Sequence, residues 1–345
     1  MQARTIFPAG KHLHATFLTQ VQAINEDFCF NHPSHFVEIG ESTRIKGQTD
    51  SLDIAVIHAF CETIRNTLEL HHDRSIIICP ADRCLDSLSH VCQLCGAYLI
   101  LCEGLDLDHI LTVLTDLLSG CPEAYRTNVV NCLTALHHSR GLGWLSETNE
   151  GDNEAALDLE MASHYALECN GNIHVLVPGK LLLFPTPAAL PDGQSWIDTS
   201  EPERPTVRYF SAAFLATLLA DLDVSSVACL GRTDEIDADA FRACGLDVHD
   251  LALDPRRPAL LPAMDHLLAV SRAAPGPTAL FPGRGCAGGG RGAECVESLA
   301  AAWLIARYGF GGGAAAAWVR IMCPALRAEI FPGSEAAGPA LPESA

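Results

Sequence analysis

The chain has 345 residues, 48% of them hydrophobic, which is enough for two domains with cores of their own. Its 22 basic and 42 acidic residues leave a net charge of −20, which works against non-specific nucleic-acid binding and attachment to an anionic membrane, and favours cationic partners such as a basic peptide. The 15 cysteines read as reduced thiols of the cytosol or nucleus, because the opening MQARTIFPAGKHLHATFL lacks the continuous apolar core of a secretion signal.

In chain order, SLDIAVIHAFCETIRNTLEL (51–70) sets Leu52, Ile54, Ala55, Val56, Ala59, Phe60 and Ile64 at the spacing of one helical face. RSIIICPAD (74–82) predicts a short buried strand running into a turn. SLSHVCQLCGAYLILC (87–102) and LDHILTVLTDLLSG (107–120) predict two helices, the second capped by Gly120. A polar run, SETNEGDNE (146–154), separates this half from the rest, and ALDLEMASHYALEC (156–169) predicts a linking helix.

A second α/β cycle follows. IHVLVPGKLLLFPTP (173–187) predicts two strands about a Pro178-Gly179 turn. YFSAAFLATLLADLD is helical, VSSVACL is a strand, and ADAFRACGLDVHDLALD gives a short helix and a strand. LLPAMDHLLAVSRAA is helical and PTALF is the next strand, with two final helices in VESLAAAWLIARYGF and GAAAAWVRIMCP. The stretch SLAAAWLIA meets Arg307 well short of the roughly 20 residues a membrane-spanning helix needs. The Pro, Gly, Ala and Ser content of 331–345 predicts a disordered tail.

Between PTALF and the next helix lies FPGRGCAGGGRGAEC (281–295), where Cys286 and Arg291 stand across a glycine run. Successive backbone N–H groups can form an anion nest, a helix N-terminus adds positive potential, and a guanidinium binds two phosphate oxygens at once. The same field would lower a thiol pKa and supply a thiolate near neutrality. Between 279 and 330 there are five arginines against three glutamates, which locally favours an anion. The tract has two readings on its own, a phosphate cradle holding a nucleophile or a loose glycine loop.

Several segments in order resemble the cell-division-cycle-fourteen dual-specificity phosphatases, over roughly residues 35–327. The strongest is SHYALECNGNIHVLVPGKLLLFPTP, similar to that family's linker helix and hairpin. VSSVACLGRTDEIDADAFRACGLDVHDLALD, AWLIARYGF and AAAAWVRIMCP continue it, and FVEIGESTRIKGQTDSLDIAVIHAFC and IIICPADRCLDSLSHVCQLCGAYLI precede it. The resemblance implies an α/β fold of two tandem dual-specificity-phosphatase-like domains joined by a linker helix. Residues 1–150 would be a non-catalytic domain, 151–172 the linker helix and 173–330 the cysteine-phosphatase domain.

It also implies a phosphatase that releases phosphate from phosphoserine, phosphothreonine or phosphotyrosine proteins through a cysteinyl-phosphate, without metal or cofactor. Cys286 matches the nucleophile, Arg291 the phosphate clamp, Gly288, Gly289 and Gly290 the phosphate-binding amides, and Asp254, at the end of HDLALD, the general acid. Glu160 and Glu168 match an acidic groove for substrates with basic residues near the phosphosite. The implied setting is cell division, in the cytoplasm or nucleus, with centrosome and spindle among the places, and no nucleic acid or membrane as partner.

The chain departs from the family pattern at named places. Gly285 replaces the histidine before the cysteine, four rather than five residues separate Cys286 from Arg291, and Gly292 follows where serine or threonine is usual. ALRAEIFP, after RIMCP, contains no glutamine to position a hydrolytic water, and Ser163, Ala166 and Asn172 stand where groove acids are expected. A pseudophosphatase that binds phosphopeptides or acts as a scaffold is therefore the alternative reading.

Other signals have bland readings. Cys92 and Cys95 form a lone CxxC inside a helical pattern and read as core thiols, since zinc needs further ligands at matching spacing. His71-His72 and His137-His138 stand near helix ends, where imidazoles meet terminal carbonyls or solvent. Pro178-Gly179-Lys180 lacks the glycine spacing of a nucleotide loop and reads as a hairpin turn.

Overall fold

The computed structural model describes residues 13–15, 34–38, 53–70, 75–79, 85–118, 121–145, 156–191, 193–199, 207–231, 236–251, 260–283 and 291–324. The chain divides into two compact units, residues 1–151 and 152–345. The predicted tail at 331–345 lies outside the described residues, as do Gly120 and the pair His71-His72.

In the first unit, strands β1 (Leu13–Ala15) and β2 (Ser34–Glu38) flank β3 (Ser75–Cys79) in a parallel sheet of order β1-β3-β2. Four helices accompany it: α1 (Ile54–Leu70), α2 (Leu85–Leu101), α3 (Leu107–Leu118) and α4 (Glu123–Gly141). From Val91 to Ile100 every residue of α2 is buried, including Cys92 and Cys95. Helix α4 packs tightly on it, so that a Cβ built on Gly96 would come within 2.6 Å of Leu133 Cδ2. A side chain at 96 would have to displace the Leu133 methyl groups.

The second unit opens with α5 (Leu159–Ala166) and a short 3₁₀ turn, Glu168–Asn170. The helix is shorter than the predicted 156–169. Asp158 caps its start by accepting from Met161 N, and at Leu167 the backbone leaves the helical region (φ −64, ψ 136). The Asn170 side-chain amide then donates to His164 O at 3.0 Å, the same terminal carbonyl that accepts from Leu167 N at 3.4 Å.

Hairpin strands β4 (His174–Val177) and β5 (Leu181–Leu183) follow, and Gly179 (φ +62) supplies the turn between them. A second hairpin, β6 (Trp196–Thr199) and β7 (Val207–Phe210), forms a separate antiparallel pair. Then come α6 (Ala212–Asp221), β8 (Ser226–Cys229), α7 (Ala238–Ala243), β9 (Asp247–Asp250), α8 (Leu260–Ala273), β10 (Thr278–Phe281), α9 (Arg291–Tyr308) and α10 (Gly312–Met322).

The main sheet has the order β4-β5-β10-β8-β9, parallel except for β4. The connections from β5 to β8 and from β8 to β9 run one way along it, and the connection from β9 to β10 runs back. The last parallel strand therefore fills the gap between β5 and β8, where the winding reverses.

Side chains alternate between the two faces of this sheet. Leu182, Phe184, Val227, Cys229, Ala279 and Phe281 join one core with Ala162 of α5, Leu215 and Leu219 of α6, and Phe241 of α7. The alternate residues Leu181, Leu183, Ala228 and Leu280 are equally buried on the other face. There Trp318 of α10 donates from Nε1 to Leu176 O at 2.9 Å, Trp303 of α9 donates to Ser271 Oγ of α8 at 3.0 Å, and Arg320 Nε pairs with Glu297 Oε1 at 2.7 Å. A buried parallel sheet covered on both faces is the arrangement that continuous apolar strands demand. Among the described residues no helix is long and apolar enough to cross a membrane.

Candidate active site

The candidate site is assembled by strand ends. Strand β10 pairs with β8 so that Phe281 is level with Cys229, and β8 pairs with β9 so that Cys229 is level with Asp250. The carboxyl ends of all three strands therefore stop at one edge of the sheet. From Phe281 the chain runs five residues to Cys286, and from Asp250 it runs four to Asp254. Two strand spacings separate the starting points by about 10 Å. Loops of four and five residues reach up to about 13 Å and about 17 Å, so both residues can attend one bound group.

Cys286, Gly288, Gly289, Gly290 and Asp254 themselves lie outside the described residues. Arg291 is the first residue of α9, and its side chain is likewise outside the described part. The backbone thus brings the tract from the central strand to the start of an 18-residue helix, the strand–loop–helix setting in which amides and a positive helix end face a bound anion.

The entry to the tract is closely fitted. Leu230 N donates to Phe281 O at 3.1 Å, Phe184 N donates to Leu280 O at 3.1 Å, and Thr186 Oγ1 donates to Pro282 O. Gly231 and Gly283 approach so nearly that each leaves no room for a Cβ on the other. The loops after β5 and β8 thereby clamp the first three residues of the cysteine tract, Phe281, Pro282 and Gly283.

A second cysteine stands close by in sequence. Cys295, one turn into α9, is buried, and burial together with Glu294 pushes its thiol above the ordinary range. It is a packing residue, in contrast to the role expected of Cys286.

Glu160 sits exposed in the first turn of α5, and Glu168 opens the 3₁₀ turn half-buried. The turn is tied to the β6–β7 hairpin: Arg208 donates from Nη1 to Cys169 O at 3.1 Å and grips Asp198 through Nε and Nη2 at 2.6 and 2.8 Å. Arg208 also lies over the Trp196 ring, 5.2 Å from its centroid. This hairpin escaped the sequence reading. Its only signal is two four-residue runs of alternating character in SWIDTS and TVRYF.

In the first unit, burial of the CxxC pair pushes Cys95 up to about 12 and raises Cys92 as well, so both are neutral thiols inside the core. His137 lies 3.8 Å from Asp106 near the end of α4. Among the described residues no group of three or more His, Cys, Asp or Glu is placed to hold a metal ion.

No family model and no curated protein matches the chain. Solved structures do. The chain is similar to Tk-PTP in its active form, with 16% identity and a TM-score of 0.29 over 44% of this chain and 84% of that one. It is similar to kinase associated phosphatase with its catalytic cysteine changed to serine, at 14% identity and a TM-score of 0.30 over 44% and 82%. A third is P. aeruginosa TpbA in complex with pTyr, at 19% identity and a TM-score of 0.25 over 38% and 80%. These neighbours are phosphatases of the protein-tyrosine and dual-specificity type.

Proposed function

We propose that residues 173–330 form a cysteine-dependent protein phosphatase domain of the cell-division-cycle-fourteen kind, that 1–150 is a non-catalytic companion, and that 151–172 links them. The observation that carries this reading is the level ending of β10 and β9, at Phe281 and Asp250, with α9 opening at Arg291. A nucleophile loop and an acid loop then leave from one sheet edge, and the nucleophile loop runs into a helix N-terminus.

In the proposed reaction the Cys286 thiolate attacks phosphorus and forms a sulfur–phosphorus bond. The ester oxygen leaves as an alcohol or phenol, taking its proton from the Asp254 carboxyl. Amides of Gly288, Gly289 and Gly290 and the Arg291 guanidinium hold the transferring oxygens, where charge accumulates. Water then cleaves the thiophosphate, releasing inorganic phosphate and restoring the thiolate. Glu160 and Glu168 favour phosphoproteins with basic residues near the phosphosite, in keeping with the net charge of −20.

The test is hydrolysis of an aryl phosphate by the full chain and by Cys286→Ser. Turnover that disappears in the variant is the expected result. A wild-type protein that releases no phosphate, yet unfolds at higher temperature with tungstate, would overturn the enzymatic reading in favour of phosphopeptide binding.

A further inference from the structure

Beside the clamped entry of the cysteine tract lies an open cleft of about 530 Å³. One wall is formed by 187–191 and 193–195, another by the first two turns of α6, and Ile236 and Asp237 complete the lining. Leu190, Phe214 and Ile236 give it apolar surface, and Gln194, Ser195 and Ser211 give it hydrogen-bonding groups. Among the described residues of the lining Asp237 is the only charged one, and none is lysine or arginine.

The walls are fixed. Ala188 N donates to Phe210 O at 2.8 Å, Ser211 N donates to Ser195 O at 2.9 Å, and Ser211 Oγ caps α6 by accepting from Phe214 N at 3.2 Å. Phe214 stacks on Phe210 with centroids 5.4 Å apart and meets the edge of Trp196 at 5.5 Å. Trp196 remains 46% exposed, an uncovered aromatic beside a groove whose shape is already set.

The position of the cleft says what should occupy it. Its first wall begins one residue after Thr186, whose hydroxyl holds Pro282, and Ile236 and Asp237 follow the stretch containing Gly231, which abuts Gly283. The first rim is therefore continuous with a segment that clamps the entry of the Cys286 tract. We propose that the cleft docks a segment of the phosphoprotein substrate flanking the phosphoresidue: an extended peptide anchored by a bulky aliphatic side chain and lacking an acidic residue beside it. An open groove of mixed polarity suits a peptide whose backbone needs partners, and the Asp237 carboxylate, with no cation among the described lining residues, repels an acidic segment. The proposal rests on the phosphatase reading for the identity of the partner.

The probe is a set of fluorescein-labelled phosphoserine decapeptides on a glycine-serine background, with leucine or glutamate at each flanking position in turn. Binding to Cys286→Ser full-length protein is read by anisotropy, which needs no turnover. At one flanking position leucine should bind about tenfold or more tighter than glutamate. Thr217→Lys and Ala189→Lys, at exposed positions on opposite walls, supply the missing cation and should erase that preference while keeping the thermal unfolding midpoint. Equal binding of leucine and glutamate peptides, no peptide binding, or a preference that survives both variants overturns the proposal. Preference without aryl phosphate turnover by the wild type leaves the docking cleft standing and removes the phosphatase reading. Turnover without preference does the reverse.

Discussion

Gly231 and Gly283 stand backbone to backbone. A Cβ on Gly283 would come within 2.6 Å of Gly231 N, and one on Gly231 would lie 2.8 Å from Gly283 Cα. Neither glycine has a positive φ, so sterics alone forbid a side chain, and the atoms in the way are main chain that cannot swing aside. Gly283→Ala should force the loops after β8 and β10 apart, at a cost of about 1–3 kcal/mol of stability. Because Gly283 lies three residues before Cys286, a shift of about 1 Å passed along the tract should lower aryl phosphate turnover by about a hundredfold. Urea unfolding and steady-state rates of the variant measure the two effects, and an alanine tolerated in both would contradict the close approach.

His174 predicts how stability depends on pH. The imidazole is buried in β4, its Nε2 2.9 Å from Asn172 Oδ1, and burial pushes its pKa down to about 4 against a smaller opposing contribution from the Met322 backbone. Between about pH 6.5 and 4 the unfolded chain takes up a proton that the folded protein does not, so stability falls as pH falls. The slope approaches about 1.4 kcal/mol per pH unit and sums to about 3 kcal/mol, ending below pH 4 where the native imidazole also protonates. His174→Leu should flatten this part of the profile whatever it does to absolute stability. Denaturant titrations of both proteins at pH 7, 6 and 5 decide it, and an unchanged slope in the variant would assign the loss to other groups.

The thiols divide by environment. Cys92, Cys95 and Cys132 are buried, and burial pushes Cys95 and Cys132 up to about 12, leaving almost no thiolate at neutral pH. Cys169 and Cys244 are exposed. If the 281–295 tract forms an anion nest, Cys286 has a lowered pKa and alkylates with iodoacetamide at pH 6, ahead of Cys169 and Cys244, with the buried three reacting only after unfolding. Peptide mapping by mass spectrometry gives the order. Labelling of Cys169 before Cys286 at pH 6 would remove the case for an activated thiol.

Much of the second unit was legible because its strands are short apolar runs bounded by turns: VSSVACL became β8, PTALF became β10, and Pro178-Gly179 turned the β4–β5 hairpin. Helix α4 was not read, and its sequence explains why. EAYRTNVVNCLTALHHSRG is rich in Thr, Asn, Val and His, which are mediocre helix formers, and the helix is held by packing on α2 where Gly96 admits Leu133. The β6–β7 hairpin likewise depends on contacts between its two strands, the Asp198–Arg208 pair and the Trp196 ring beneath it, which neither four-residue run shows by itself. Of the candidate site, the strand ends that set its two loops are visible in the fold. The roles of Cys286 and Asp254 rest on the family resemblance, and both residues lie outside the described part of the chain.

The length of the tract makes the most direct test of the proposed chemistry. Cys286 and Arg291 are separated by four residues, Ala287 to Gly290, where the resembling family has five. With α9 starting at Arg291 and β10 ending at Phe281, one missing residue would, in the proposed cradle, remove an amide from around the phosphate and up to about 3.5 Å of chain between sulfur and guanidinium. Inserting one glycine between Gly288 and Gly289 restores the circuit without touching either strand or helix. If register is what limits the site, the insertion should raise aryl phosphate turnover by about a hundredfold and strengthen tungstate binding in parallel. The same insertion with Cys286→Ser should keep the tungstate affinity and lose the turnover, which separates a better cradle from a better nucleophile. An insertion that changes neither rate nor oxyanion affinity would mean that the amides of this tract do not surround a phosphate at all.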